Sequence, residues 1–488
     1  MVNTAEIASD IKDWRTLLQM TGFDSNGHLQ EQMARYLSSR GATVSEIVKV
    51  LEGKARHALG VPTVSTIRVE EGSQNVSLFK RQLASGDRNI ASSERHISPF
   101  QDDHLSHQVK NVPLSVMVAG LTPHRSGLGL SARHSLSALR ENGVHACEGP
   151  FFPARGGWNR DLGLVDGQVH SLRDHVVLLH IPMDSVVPTL SAQPSLLTSN
   201  KLIGFYYWET EMIPLLLRRS LEVVDEVWTA SEFVAKAFSA WTETPVRVVG
   251  QVVSVSDVEL LKREEFGIAN NEFVVHFAFD ANSTVARKNP GAAIRSFQRA
   301  FPSDTTAKFL LKVRNWSQVE GLAASGETHA QELLSLLAKD PRIRLVTGEK
   351  THSQALGLIA MSDCYISLHR SEGFGYGIAE AMALEVPVIA TAYSGSMDLT
   401  TSECAWLVPY SKIDVLPGEY FFWEEGMFWA DADIDAAAES LREIRSGGPL
   451  VESRVQAAKM RVSELSSLER LGDRYVSALS QETLTANR

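Results

Sequence analysis

Apolar residues along the chain fall into two patterns: short continuous runs, and runs spaced three or four residues apart. The continuous runs include 114–119 (Leu-Ser-Val-Met-Val-Ala), 176–180, 202–208, 273–279, 308–313, 343–346, 363–368 and 386–390. They are short and rich in β-branched and aromatic residues, as buried strands are. Helical spacing lies between them, from about 131 to 142, from Pro290 to about 301, and from Gly377 onward. In the last of these, Ile378, Ala381, Met382 and Glu385 follow the i, i+3, i+4, i+7 rule and define one face. Glu380 projects about 200° around the helix from Ile378 and so points away from that face. Strand and helix in alternation predict an α/β protein with doubly wound units. Two such units are expected, over 111–255 and 256–450, with a linker between about 250 and 265. Residues 435–479 read as helical. Residues 1–110 differ: Ile7, Ile11, Trp14, Leu17 and Leu18 have helical spacing, as do Val44, Ile47, Val48 and Leu51, and 70–110 is polar. They predict a small helical extension followed by an irregular connector.

The most informative stretch is 363–398. A strand ends in His369-Arg-Ser-Glu372-Gly-Phe-Gly375-Tyr-Gly377, a helix follows, and Val386-Pro-Val-Ile-Ala390 is the next strand. Three glycines let the backbone turn sharply and approach a ligand closely. Free backbone N–H groups and the positive end of a helix dipole then face one place, which suits an anion. Two carboxylates, Glu372 and Glu380, stand beside that anion site. They make sense if they bind hydroxyl groups. A nucleotide sugar, with a diphosphate between a ribose and a second sugar, fits the layout.

Composition narrows the class. At 488 residues the chain is long enough for two or three domains. Hydrophobic content of 44% and charged content of 22% are those of a globular protein. A net charge of −11 gives no nucleic-acid footprint, which disfavours a helix-turn-helix role for the turn at Gly41-Ala-Thr43. Cys147, Cys364 and Cys404 are odd in number and far apart, so reduced thiols and a cytoplasmic setting are expected. No metal-ligand spacing, signal segment or membrane span is read. Asp431-Ala-Asp433 is expected to begin a helix, where aspartate caps, rather than to hold a metal.

The string Ser-Glu372-Gly-Phe-Gly-Tyr-Gly-Ile-Ala-Glu380-Ala-Met-Ala, followed by Val-Pro-Val-Ile-Ala, resembles the Glu-x7-Glu signature of retaining GT-B glycosyltransferases of family 4. The resemblance implies two Rossmann-like domains facing a central cleft. It also implies that a C-terminal helix, over 451–488, crosses back onto the first domain. Glu380 would hold ribose hydroxyls. Glu372 would hold donor-sugar hydroxyls and stabilise charge at the anomeric carbon. Gly373, Phe374 and Gly375 would line the donor diphosphate. Arg287-Lys288-Asn-Pro resembles the family's basic segment, in which Lys288 neutralises that diphosphate. A fixed cation there stabilises the leaving group as charge develops on it. The family usually places an arginine where Asp280 stands, so the second cation must come from Arg287, Lys312, Arg314 or elsewhere.

On the first unit, Gly127 and Gly129 match the family's glycine loop after the first strand, near donor and acceptor. Their spacing does not fit the dinucleotide fingerprint, which disfavours hydride transfer. His180 ends a strand and is expected to face the ligand crevice as a catalytic residue. Tyr207-Trp208-Glu209, and Asp225 to Phe233 after it, resemble the bacterial surface-polysaccharide subgroup, as do Tyr420 to Trp423 and Trp429 to Asp433. Trp208 and Glu209 are therefore expected acceptor contacts. The implied reaction needs no cofactor: a UDP- or GDP-linked sugar is the donor substrate and a glycan or lipid-linked glycan accepts. Peripheral membrane contact and oligomerisation through the N-terminal extension are compatible with this reading. The alternatives are an epimerase or phosphorylase on the same scaffold, or a glycan-binding scaffold without catalysis.

Overall fold

The computed structural model describes residues 115–149, 172, 175–192, 196–197 and 199–480. The helical extension expected over 1–110 lies outside them. The first sheet is built from β1 (Ser115–Gly120), β2 (His145–Gly149), β3 (His175–His180), β4 (Lys201–Phe205), β5 (Glu226–Thr229) and β6 (Val246–Val248). All its pairings are parallel, in the order β2-β1-β3-β4-β5-β6. The runs Val-Met-Val-Ala and Val-Val-Leu-Leu are buried throughout, because a parallel sheet is covered on both faces. The edge strand β2 is short and half exposed, which is why its apolar signal in the sequence is weak.

The second sheet contains β7 (Phe273–Asp280), β8 (Ala307–Arg314), β9 (Ile343–Val346), β10 (Cys364–Ser367), β11 (Val388–Thr391) and β12 (Trp406–Val408). Its order is β12-β11-β10-β7-β8-β9, again parallel. The winding reverses between β7 and β10. In the first sheet it reverses between β1 and β3. Ligands of open α/β sheets bind beyond the carboxyl ends of the strands at such a reversal. Those ends carry Asp280 and Leu368 in one sheet, and Gly120 paired with His180 in the other.

An antiparallel hairpin follows the second sheet, β13 (Tyr410–Asp414) with β14 (Phe428–Ala432). Its connecting segment reaches the first unit. Val415, Tyr420, Met427 and Trp429 share a buried cluster with Tyr206, Trp208, Ile213 and Leu217. The tail is helical, as expected, and comprises three helices: Ile434–Ser446, Pro449–Ser466 and Leu468–Ser480. Gly447 and Gly448, with φ of 67° and 102°, end the first helix, and extended Ser467 separates the other two. Asp433 does cap a helix, accepting from the N–H groups of Asp435 and Ala436 at 2.9 and 3.1 Å, whereas Asp431 lies on β14.

The helix Pro449–Ser466 packs on Tyr376–Ala383 of the second unit, and Leu468–Ser480 packs on Gly127–Glu141 of the first. Leu471 is fully buried against the turn at Gly250, and Tyr475 lies 5.2 Å from the Trp228 ring. Leu471→Ala removes a fully buried side chain and leaves a cavity between the tail and the first unit. We expect it to cost about 2–5 kcal/mol. Urea unfolding checks this, and an unchanged midpoint would show that the brace adds nothing.

Candidate active site

The glycine loop is organised around Gly375, whose φ of 94° caps the helix Tyr376–Ala383. That helix is buried nearly all round, from Ile378 to Met382, because a sheet lies on one side and Pro449–Ser466 on the other. It ends at Ala383, earlier than the sequence spacing suggests. Glu385 lies beyond it in the left-handed region, φ 59°, and accepts from Gln456 Nε2 at 2.7 Å and Lys459 Nζ at 2.5 Å.

Two strained residues present the charged groups. Thr284 has φ 62°, a genuine outlier for a β-branched residue. Its hydroxyl accepts from Arg287 N at 3.3 Å and so starts the short helix Val285–Lys288. Ser394 has φ 72°, and its hydroxyl accepts from Glu372 N at 2.8 Å. Each such conformation costs about 1–3 kcal/mol and persists only where surrounding contacts over-determine it. Here those contacts include Gly395, whose N–H donates to Glu372 O at 2.8 Å; a Cβ on Gly395 would stand 2.2 Å from Gly373 O.

Lys288 and Glu372 are brought into direct contact, Nζ to Oε1, with side-chain exposures of 17% and 13%. Arg287 is more deeply buried. Its Nη1 lies 2.8 Å from Ser371 O and 3.3 Å from Glu372 Oε2, and its Nη2 lies 3.6 Å from Glu209 Oε1. The other Glu209 oxygen accepts from the Tyr420 hydroxyl. Burial alone would raise the Glu372 carboxyl, but Lys288 and then Arg287 outweigh it and hold the group down at about 2. At Arg287, burial is outweighed by Glu209 and Glu372, and the guanidinium is held above its ordinary range. At Lys288 burial prevails over the pull of Glu372 and lowers the ammonium.

Glu372 thus binds fewer protons when folded than when unfolded. Its contribution to stability is complete above about pH 4.5 and is lost as pH falls toward 2. The shift corresponds to on the order of 3 kcal/mol. Wild type should therefore lose urea resistance faster than Glu372→Gln below pH 4.5, and parallel curves would contradict this.

Glu380 is buried to 8% exposure and its Oε1 lies 2.7 Å from His352 Nε2. Lys312 is lowered by burial, partly offset by Asp280 and Glu380. Asp280 itself anchors structure. It accepts from Asn282 N at 2.9 Å and Asn315 Nδ2 at 2.7 Å, and it pairs with Arg314 at 3.5 Å. Arg314 also donates to Arg125 O of the first unit at 3.2 Å.

The remaining expected site residues take different positions. His180 is fully buried, stacked on Phe205 at 4.4 Å, with Nδ1 3.4 Å from Ser131 Oγ. Burial holds it neutral, down to about 3. Trp208 is 5% exposed, and its N–H reaches Thr210 Oγ1 at 2.8 Å and Met212 O at 2.9 Å. Phe374 packs edge-on to Tyr376 in the core shared by both units. Gly129 lets the helix Gly127–Glu141 start tight against the loop, since a Cβ there would lie 2.1 Å from His124 O; Gly127 faces open space.

Sequence reasoning missed Ser231, Tyr420, Ser394 and Thr284. Ser231 caps the helix Glu232–Ser239 and also donates to Gly373 O at 2.7 Å, across the two units. Beside it Glu232 N donates to Asp398 Oδ2 at 2.8 Å. A cap is legible in Ala-Ser-Glu; its second partner, more than a hundred residues away, is not. Among the described residues there is no cluster of three or more His, Cys, Asp or Glu able to hold a metal ion, and no helix long and apolar enough to cross a membrane.

Residues 325–416 match the family described as glycosyl transferases group 1. The match spans β9 to β13 and the Glu372 loop but does not reach back to Lys288. The chain is similar to Anabaena Alr3699/HepE, solved in complex with UDP and glucose, at 14% identity and a TM-score of 0.54, over 75% of this chain and 100% of that one. It is similar to a glycosyltransferase from Rickettsia africae ESF-5 at 15% identity and 0.53, over 75% and 98%. Sucrose-phosphate synthase from Thermosynechococcus elongatus gives 15% and 0.54, over 76% and 100%. No curated protein matches the chain in sequence. The chain thus has the two-sheet α/β architecture of the GT-B type and carries, over residues 325–416, a glycosyltransferase group 1 domain.

Proposed function

We propose that the protein is a retaining glycosyltransferase that moves a sugar from a nucleotide diphosphate sugar to a hydroxyl of a glycan or glycolipid, in bacterial polysaccharide synthesis. The observation that carries this reading is the meeting of Lys288, Glu372 and the Gly373–Gly375 backbone at the reversal point of the second sheet, against the first unit. The diphosphate sits at Lys288 and the glycine-loop amides, at the start of the helix Tyr376–Ala383. Glu372 receives donor-sugar hydroxyls, and Glu380 the ribose hydroxyls. The acceptor oxygen bonds to the anomeric carbon on the face the diphosphate leaves. The bond from that carbon to the diphosphate oxygen breaks, and the acceptor proton passes to the departing diphosphate. No side chain forms a covalent bond. Lys288 stabilises the charge that grows on the leaving group, where a preplaced cation acts most strongly.

The similar structure holding UDP and glucose supports a nucleotide-sugar donor for this site. The test is a panel of UDP- and GDP-linked sugars with release of the nucleoside diphosphate measured against glycan and lipid-linked acceptors. Release that depends on acceptor is expected from one donor. An epimerised nucleotide sugar or a free sugar phosphate as product would replace this reading with one of its alternatives.

A further inference from the structure

Arg287 and Lys288 are neighbours in sequence but are used differently. Lys288 is a compact charge on a flexible stem, and it touches Glu372. Arg287 is 3% exposed and spends its planar fork on the protein. Nε donates to Ser283 O at 3.2 Å and Nη1 to Ser371 O at 2.8 Å, while Glu372 and Glu209 lie at 3.3 and 3.6 Å. Glu372 belongs to the second unit and Glu209 to the tip after β4 of the first. Tyr420, on the hairpin connection, holds the free oxygen of Glu209 and packs edge-on to Trp208 at 5.5 Å. One buried guanidinium therefore ties a carboxylate from each side of the site. A buried charge of this kind is tolerated only when its partners are in place, and removing one partner leaves the others uncompensated.

We propose that Arg287 is a positioning residue. It locks Glu372 and Glu209 onto one guanidinium, so that the donor-side and acceptor-side carboxylates meet the same substrate pair at a fixed separation. Lys288 then meets the diphosphate, and Arg287 does not. The proposal rests on the nucleotide-sugar reading of this site. It changes what the two basic neighbours are expected to do: a diphosphate draws Lys288 away from Glu372, and Arg287 keeps that carboxylate in place when Lys288 leaves it.

The experiment is a double-mutant cycle of Arg287→Lys and Glu209→Gln, read in two ways. With the donor found in the panel, Arg287→Lys should lower kcat about 10–100-fold, as small misplacement of reacting groups does. KM for the donor and the affinity for UDP or GDP should stay within about threefold, since uniform binding is retained. The double variant should be no slower than the slower single one, because residues acting as a unit are non-additive. The second reading is the urea midpoint, which needs no activity: Arg287→Lys should lower it less in the Glu209→Gln background than in wild type. Additive midpoints would overturn the clamp. So would a variant whose donor KM rises with kcat intact, which would make Arg287 an ordinary diphosphate ligand. If wild type turns over none of the panel, the transferase reading fails, and the urea cycle still decides whether the clamp exists.

Discussion

Replacing Glu372 with glutamine is expected to lower kcat by about 10²–10³-fold, the loss typical of one preplaced electrostatic group. The side chain keeps its shape and its hydrogen-bonding oxygen, but the charge proposed to face the anomeric carbon is gone. The same change acts oppositely on binding. Glu372 contacts the Lys288 ammonium, so a diphosphate must draw that ammonium away. Removing the carboxylate charge frees Lys288. UDP or GDP should then bind at least as tightly as to wild type, in titration calorimetry, while turnover collapses. Weaker binding together with slower turnover would place Glu372 on the diphosphate side and contradict the assignment.

Lys288→Ala should show the complementary pattern. The cation proposed to neutralise the departing diphosphate is lost, which is worth about 10²–10³-fold in kcat/KM. Nucleoside diphosphate affinity should fall as well, because the charge pairs with bound product and transition state alike. Glu372 then keeps Arg287 as its partner, 3.3 Å away, so the fold should tolerate the substitution better than the loss of Glu372 to alanine, which would take from Lys288 its contacting carboxylate and leave Arg287 with Glu209 alone. Affinity for UDP and GDP unchanged in Lys288→Ala would move the diphosphate elsewhere.

Much of this site is legible in the sequence because its parts are local. The strands around it are continuous apolar runs, and the loop from Glu372 to Gly377 announces its own geometry through its glycines. What the sequence conceals is set by packing over long separations. Spacing alone leaves Glu380 free to project from one helix face, yet two layers cover that helix and His352 reaches it. Phe374 and Trp208 have the look of contact residues, but their rings fill the core. His180 ends its strand as expected and is still enclosed, because Phe205 stacks on it. The positive φ of Thr284 and Ser394 leaves no compositional mark, since both residues are ordinary elsewhere. The hairpin from Tyr410 to Ala432 carries Tyr420 to Glu209, a contact no local pattern encodes.

The most direct test of the account is proton NMR of a complete turnover with the nucleotide sugar and acceptor that the panel selects. A new glycosidic bond is expected whose anomeric centre has the configuration it had in the donor, with one nucleoside diphosphate released per sugar transferred. A product of inverted configuration, an epimerised nucleotide sugar or a free sugar phosphate would contradict it.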